Sequence, residues 1–171
     1  MPASSSLIHG AAGLDEGEPA RQKILILHED FAAYSRAVEV CRRLMERFAS
    51  MDFDIKCWNF IELADFNCAR HAAKSARVAD LILLSMQTLQ PPVELERWLD
   101  FSFTVRFKPD GMLALVWNVS ATPPATLEKL VLRLGQLAEG LGMNFISLLP
   151  DADLREINVP PVVAALRTHG V

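Results

Sequence analysis

The chain has 171 residues, of which 51% are hydrophobic and 22% charged, and 17 Lys and Arg against 21 Asp and Glu give a formal charge of −4. That length fits one domain whose core is large enough to fold without disulfides. The composition excludes disordered, collagenous and disulfide-scaffold classes, the acidic balance gives no basic footprint for nucleic acid, and no apolar run nears the roughly 20 residues that span a bilayer.

Residues 1–22 are rich in Ser, Ala, Gly and Pro and read as a disordered tail before a single α/β domain over residues 23–171. The tail lacks both the basic start and the continuous apolar stretch of a secretory signal. Cys41, Cys57 and Cys68 form no CxxC pair, so each reads as a buried free thiol, and a cytoplasmic location is expected. Cys68 and His71, three apart on one helical face, do not complete a zinc site.

Lys23 to Leu27 is an apolar run of strand length that ends in His28-Glu29-Asp30. Tyr34, Val38, Cys41, Met45 and Phe48 then recur at helical spacing and predict the buried stripe of a helix. Its other face pairs Glu39 with Arg43 and Arg42 with Glu46, which reads as a solvated surface and not an anion site. Phe53 to Phe60 alternates in polarity, as a half-exposed strand at a sheet edge does. Leu63 to Val78 is helical in pattern, and Ala79 to Leu84 is the next strand.

Pro91-Pro92 opens a helix running through Leu99, and Lys108-Pro109-Asp110-Gly111 is a turn. Met112 to Val119 is a strand, after which Thr122-Pro123 supplies an N-cap and a first-turn proline. Leu127, Leu130, Val131, Leu134, Leu137 and Leu141 form a helical stripe ended by Gly140 and Gly142. Phe145 to Leu149 is the last strand, and Pro161 to Arg167 a short final helix.

This succession spells βαβαβαβαβ, and runs that are apolar on both faces require a parallel sheet covered on both sides. Right-handed crossovers, with the alternating second strand at an edge, select the order 2-1-3-4-5. The expected architecture is therefore a flavodoxin-like three-layer α/β sandwich around a five-stranded parallel sheet.

In such sheets ligands bind beyond the carboxyl ends of the strands, where the strand order reverses. The strand ends nominate His28, Glu29, Asp30, Ser85, Gln87, Asn118 and Ser120 as ligand-binding candidates, with no residue assigned a catalytic role. The first turn, His28 to Ala33, has no glycine, which argues against a dinucleotide, and there is no GxxxxGK[ST] motif. Glu29 and Asp30 would repel a flavin phosphate. Two readings of the doublet stand: a magnesium site, the only cofactor the sequence suggests, or a negative cap on the helix that follows. Ser85 near His28 and a carboxylate gives a hydrolase reading, set against a plain turn serine.

Trp117, beside Asn118, either lines a pocket or belongs to the core, as Trp58 and Trp98 do. Leu95, Trp98, Leu99, Phe101, Phe103, Val105 and Phe107 crowd a short span and either cover the sheet or form a dimer face. Self-association is expected on that basis.

The stretch Ala79 to Gln87, ADLILLSMQ, with Pro91 beyond it, resembles the third-strand signature of response-regulator receiver domains. Glu29-Asp30 is similar to their magnesium-binding acid pair and Ser120-Ala121 to their switch position, while Gly142 to Ser147 looks like the approach to their fifth strand. The resemblance spans Lys23 to Pro150. Receivers accept phosphate on an aspartate where this chain has Ser85, and their lysine after strand five falls at Leu148. The resemblance thus implies a receiver-like module without phosphorylation chemistry.

Arg70 to Ser85 also resembles Toll/interleukin-1 receptor domains, some of which cleave NAD with a glutamate on the helix after strand three, where Glu94 and Glu96 lie. In those domains a tryptophan precedes the acid, whereas Trp98 follows both. The expected function is a non-catalytic regulatory or protein-interaction module, with a protein or a second copy as partner and neither nucleic acid nor membrane. The alternative is a small enzyme acting on a nucleotide or ester at the strand-end cleft.

Overall fold

Each apolar run becomes a strand and each longer periodic segment a helix, because both burial periods are satisfied together. The computed structural model describes residues 21–88, 90–104, 108–118 and 125–148. The tail over 1–20, the Thr122-Pro123 cap, Ser120, Val105, Phe107 and the helix read at Pro161 to Arg167 lie outside the described residues. The elements are β1 (Gln22–His28), α1 (Phe31–Arg47), β2 (Phe53–Asn59), a 3-10 turn (Phe60–Ala64), α2 (Phe66–Val78), β3 (Leu81–Met86), α3 (Val93–Ser102), β4 (Met112–Trp117), α4 (Ala125–Gly140) and β5 (Asn144–Leu148).

The strands form one five-stranded sheet in the order β2-β1-β3-β4-β5, and every neighbouring pair is parallel. Alternation divides the core. Leu25, Leu27, Ile82, Leu84, Leu113, Leu115 and Trp117 face a layer that includes Ala72 and Ala76 of α2, Trp98 of α3 and Leu134 of α4. Ile24, Ile26, Leu83, Met112, Ala114, Val116 and Leu148 face α1 on the other side. Burying a side chain of this size contributes about 1.5–3 kcal/mol, so the central strands dominate stability. β2 has no second neighbour among the described residues and lies at the sheet edge, as expected, but Ile55, Lys56 and Cys57 are all exposed there, so the strand does not alternate in burial as its sequence does.

α1 corrects the stripe read from the sequence. Ala33, Ala37, Val40, Cys41 and Leu44 are its buried residues, whereas Tyr34, Val38 and Met45 are exposed at 36%, 39% and 41%. Two adjacent rows of the helix have the same spacing, and the row with small side chains wins because it lets the helix approach the sheet closely. The bulkier row lies to one side, with Tyr34 against His28 at the end of β1. The cysteines are corrected with it: Cys41 is buried, Cys68 half-buried and Cys57 exposed on the edge strand. Burial pushes the Cys41 thiol up to about 12.

The helix expected from Leu63 begins instead at Phe66, after the 3-10 turn. Asp65 stops the turn and caps α2, its Oδ1 accepting from Asn67 N at 2.9 Å and Cys68 N at 3.0 Å. The bonds from Cys68 and Asn67 hold its carboxyl below the usual value. Because the folded value is depressed, the stabilisation from Asp65 is present above the unfolded value near ~3.9 and is lost as pH falls through the folded one. Asp65→Ala should therefore melt below wild type at neutral pH, and the gap in Tm should close in strong acid. A gap that stays constant with pH would show that the carboxylate is not the cap.

Lys108-Pro109-Asp110-Gly111 turns as predicted, with Gly111 N donating to Lys108 O at 3.2 Å. Asp110 takes the left-handed position at φ 64°, which short polar side chains tolerate better than most.

The crowded span after Pro92 mostly covers the sheet. Leu95, Trp98 and Leu99 are buried and Phe103 is packed against the same cluster, while Phe101 stays half-exposed. Among the described residues of this span only Val93 and Phe101 remain as exposed large apolar side chains. Trp117 is likewise core, 7% exposed, with its indole N–H donating to Ser147 Oγ at 3.1 Å.

Candidate functional site

Parallel pairing brings the ends of β1, β3 and β4 to one rim. His28 stands opposite Ser85, and Ser85 opposite Val116. Glu29 N donates to Ser85 O at 3.1 Å, so the acidic doublet and the serine meet where the strand order reverses. Gln87 follows β3 and the exposed Asn118 follows β4 on the same rim. Ser120 is not among the described residues.

The doublet separates into two different tasks. Asp30 is the N-cap of α1, its Oδ1 accepting from Ala33 N at 2.8 Å. The anion-favouring end of that helix is thus held by a side chain of its own, which supports the capping reading. Glu29 points the other way, across the switch point. Its Oε2 accepts from Gln87 N at 2.7 Å and Thr88 N at 2.8 Å, and its Oε1 from the Thr88 hydroxyl at 2.7 Å. The backbone carbonyl of Glu29 also accepts from Asn59 Nδ2 at 3.2 Å, tying the end of β2 to the same point. Asn59 and Glu62 then form a capping box on the turn after β2.

Ser85 is fully buried at 0% exposure, and its hydroxyl donates to Ala33 O at 2.7 Å. It faces α1 because β3 alternates, with Leu83 on that side and Ile82 and Leu84 on the other. His28 rests on Tyr34, ring centroids 5.1 Å apart, and its Nδ1 lies 3.1 Å from Asp30 O. Neither contact links His28 to the Ser85 hydroxyl. The Ser-His-carboxylate arrangement considered from the sequence is therefore not assembled: the backbones converge and the side chains diverge.

Arg36 is the cation at this rim. Its Nη2 donates to Met86 O at 2.9 Å, while its buried Nε finds no partner. No spacing in the sequence distinguishes Arg36 from the solvated arginines Arg42 and Arg43, and its role follows only from the packing of α1 against β3. Among the described residues no group of three or more His, Cys, Asp and Glu is placed to hold a metal ion. On α3, Glu96 is held by Arg133 of α4, an ion pair that joins two helices.

An apolar cavity of about 50 Å³ lies elsewhere, at the amino-terminal end of the sheet beside α1. Ile24, Val40, Leu44, Phe48, Phe53, Leu83 and Met112 line it, with Asp80 the only ionisable side chain among its lining residues. That carboxylate is committed to Lys23 N at 2.8 Å and to Lys108. The cavity lies at the opposite end of the sheet from the rim that holds Glu29 and Ser85.

No helix among the described residues is long and apolar enough to cross a membrane. No family model matches the chain, and no curated protein matches it. Among solved structures, a flavodoxin of Streptococcus pneumonia TIGR4 is similar, with a TM-score of 0.50 and 16% identity over 76% of this chain and 82% of that one. At that identity the likeness concerns the fold alone, and together with the observed strand order it makes the architecture flavodoxin-like.

Proposed function

We propose that this chain is a non-catalytic regulatory or protein-interaction module, receiver-like in build, that acts by binding and not by chemistry at its strand ends. The observation that carries this reading is that the Glu29 carboxylate and the Ser85 hydroxyl are both engaged by the protein's own hydrogen bonds. The Glu29 carboxylate is taken by the β3–α3 loop, and the Ser85 hydroxyl by the backbone of α1. A receiver needs a free carboxylate at the position of Ser85 and a cation after β5. Here the corresponding residues are a buried hydroxyl and Leu148, 3% exposed.

A magnesium ion would have to compete with three donors for Glu29, while Asp30 keeps one oxygen in the cap. Hard cations dehydrate reluctantly and demand several oxygen ligands, so this exchange is unfavourable. The test is incubation with acetyl phosphate and magnesium, followed by intact mass measurement. An unmodified chain is expected. A stoichiometric, hydroxylamine-sensitive phosphoprotein would contradict the proposal.

A further inference from the structure

We infer that the outer edge of β2 is a self-complementary docking strand, which pairs antiparallel with β2 of a second copy of this chain about a two-fold axis at Ile55. The inner side of β2 carries the ladder to β1. Gln22 stands opposite Phe53, and Gln22 N donates to Asp52 O at 2.8 Å. In a parallel pair the residues that bond to the neighbour alternate, so Asp54 and Lys56 direct their backbone groups to β1. Phe53, Ile55 and Cys57 therefore aim theirs outward, and no described strand pairs with them.

Unpaired edges of this kind invite another strand. Backbone pairing requires outward-directed residues to face each other, which leaves three central registers for two antiparallel copies. In one, Asp54 faces Asp54 of the second copy; in another, Lys56 faces Lys56. Only the register with Ile55 at the axis sets Asp54 opposite Lys56 and Lys56 opposite Asp54. Those two positions are non-hydrogen-bonded pairs, where side chains come closest. None of the ion pairs in the described structure uses Asp54 or Lys56, so both charges remain for this contact.

The opposite face of the strand matches as well. The axis pairs Ile55, 40% exposed, with itself and Phe53 with Cys57. Because a two-fold axis of this pairing runs through the sheet, both copies of α1 lie on that same face. On that face α1 leaves Tyr34, Val38 and Met45 exposed, so each copy brings apolar side chains to the same side of the paired sheet. This surface is separate from the strand-end rim, and its fate does not depend on whether the rim binds anything.

The test uses Asp54→Lys and Lys56→Asp, made separately in the full chain, with sedimentation velocity as the readout and thermal melts to confirm folding. Wild type should dimerise reversibly at high micromolar concentration. Each variant alone places like charges opposite at two positions and should dimerise about tenfold more weakly. Mixed together, the two variants restore both opposite-charge pairs and should form a heterodimer as strong as the wild-type dimer. A wild-type monomer at every concentration, single variants that dimerise as well as wild type, or a mixture no stronger than its components would each overturn the inference.

Discussion

Ser85→Asp should lower folding stability by about 2–4 kcal/mol and should not create a phosphate acceptor. The substitution restores the residue type that receiver domains carry at this place, so it asks whether one side chain separates this chain from that chemistry. The site is fully buried, and the wild-type hydroxyl donates to Ala33 O at 2.7 Å. A carboxylate cannot donate there. It would face a carbonyl oxygen, between Ala33 and Ala37 of α1, both 0% exposed, with no room for hydration.

Arg36 supplies a charge nearby, through a guanidinium already bound to Met86 O. A new buried ion pair seldom repays the desolvation of both groups, so Arg36 softens the loss without cancelling it. In thermal melts the loss corresponds to a drop of about 10 °C for a domain of this size. Ser85→Ala is the control: it removes one neutral hydrogen bond and should cost about 1 kcal/mol. An aspartate variant as stable as wild type, or one that takes phosphate from acetyl phosphate, would show that the strand end is more open than its packing indicates.

Glu29→Ala should lower stability by about 2 kcal/mol, the second-largest effect expected. One carboxylate closes a contact between groups 58 and 59 positions apart, accepting from two backbone N–H groups and a hydroxyl. Bonds to a charged acceptor are individually strong, but Thr88 is exposed and water replaces part of what it loses. Thr88→Val removes the hydroxyl bond alone and should cost less. The two effects should fall short of additive when combined, because each variant breaks the same bond. Full additivity in a urea-denaturation cycle would mean that Glu29 does not clasp this loop.

How much of this was legible in the sequence differs from residue to residue. The strand order followed from the alternation of Phe53 to Phe60 against the uninterrupted apolar runs of β3 and β4, since burial on two faces leaves a composition that burial on one does not. The convergence of residues 29 and 85 followed from that order. The buried row of α1 did not, because bulk alone does not mark burial and the close approach of helix to sheet favours Ala33 and Ala37.

Glu29 and Asp30 read as one pair because they are adjacent. Their roles divide at the strand-to-helix junction, where successive side chains leave in different directions. Nothing local to Glu29 names Gln87 and Thr88 as its partners, since only the fold brings them together. The sequence LILLSM likewise does not say which face Ser85 occupies. That is set by the parity of the strand against α1. Cys57 was misplaced for a related reason, as apolar neighbours in an edge strand do not imply a second covering layer.

Glu29 already accepts from the N–H groups of Gln87 and Thr88, so a metal or phosphoryl group that used this point would have to displace those contacts. Amide NMR spectra followed through a titration with magnesium and acetyl phosphate test it most directly at Gln87 and Thr88. Both N–H signals should stay in place through the titration and move when Glu29 is replaced by Ala. Signals that shift saturably with magnesium and acetyl phosphate in the wild-type chain would contradict it.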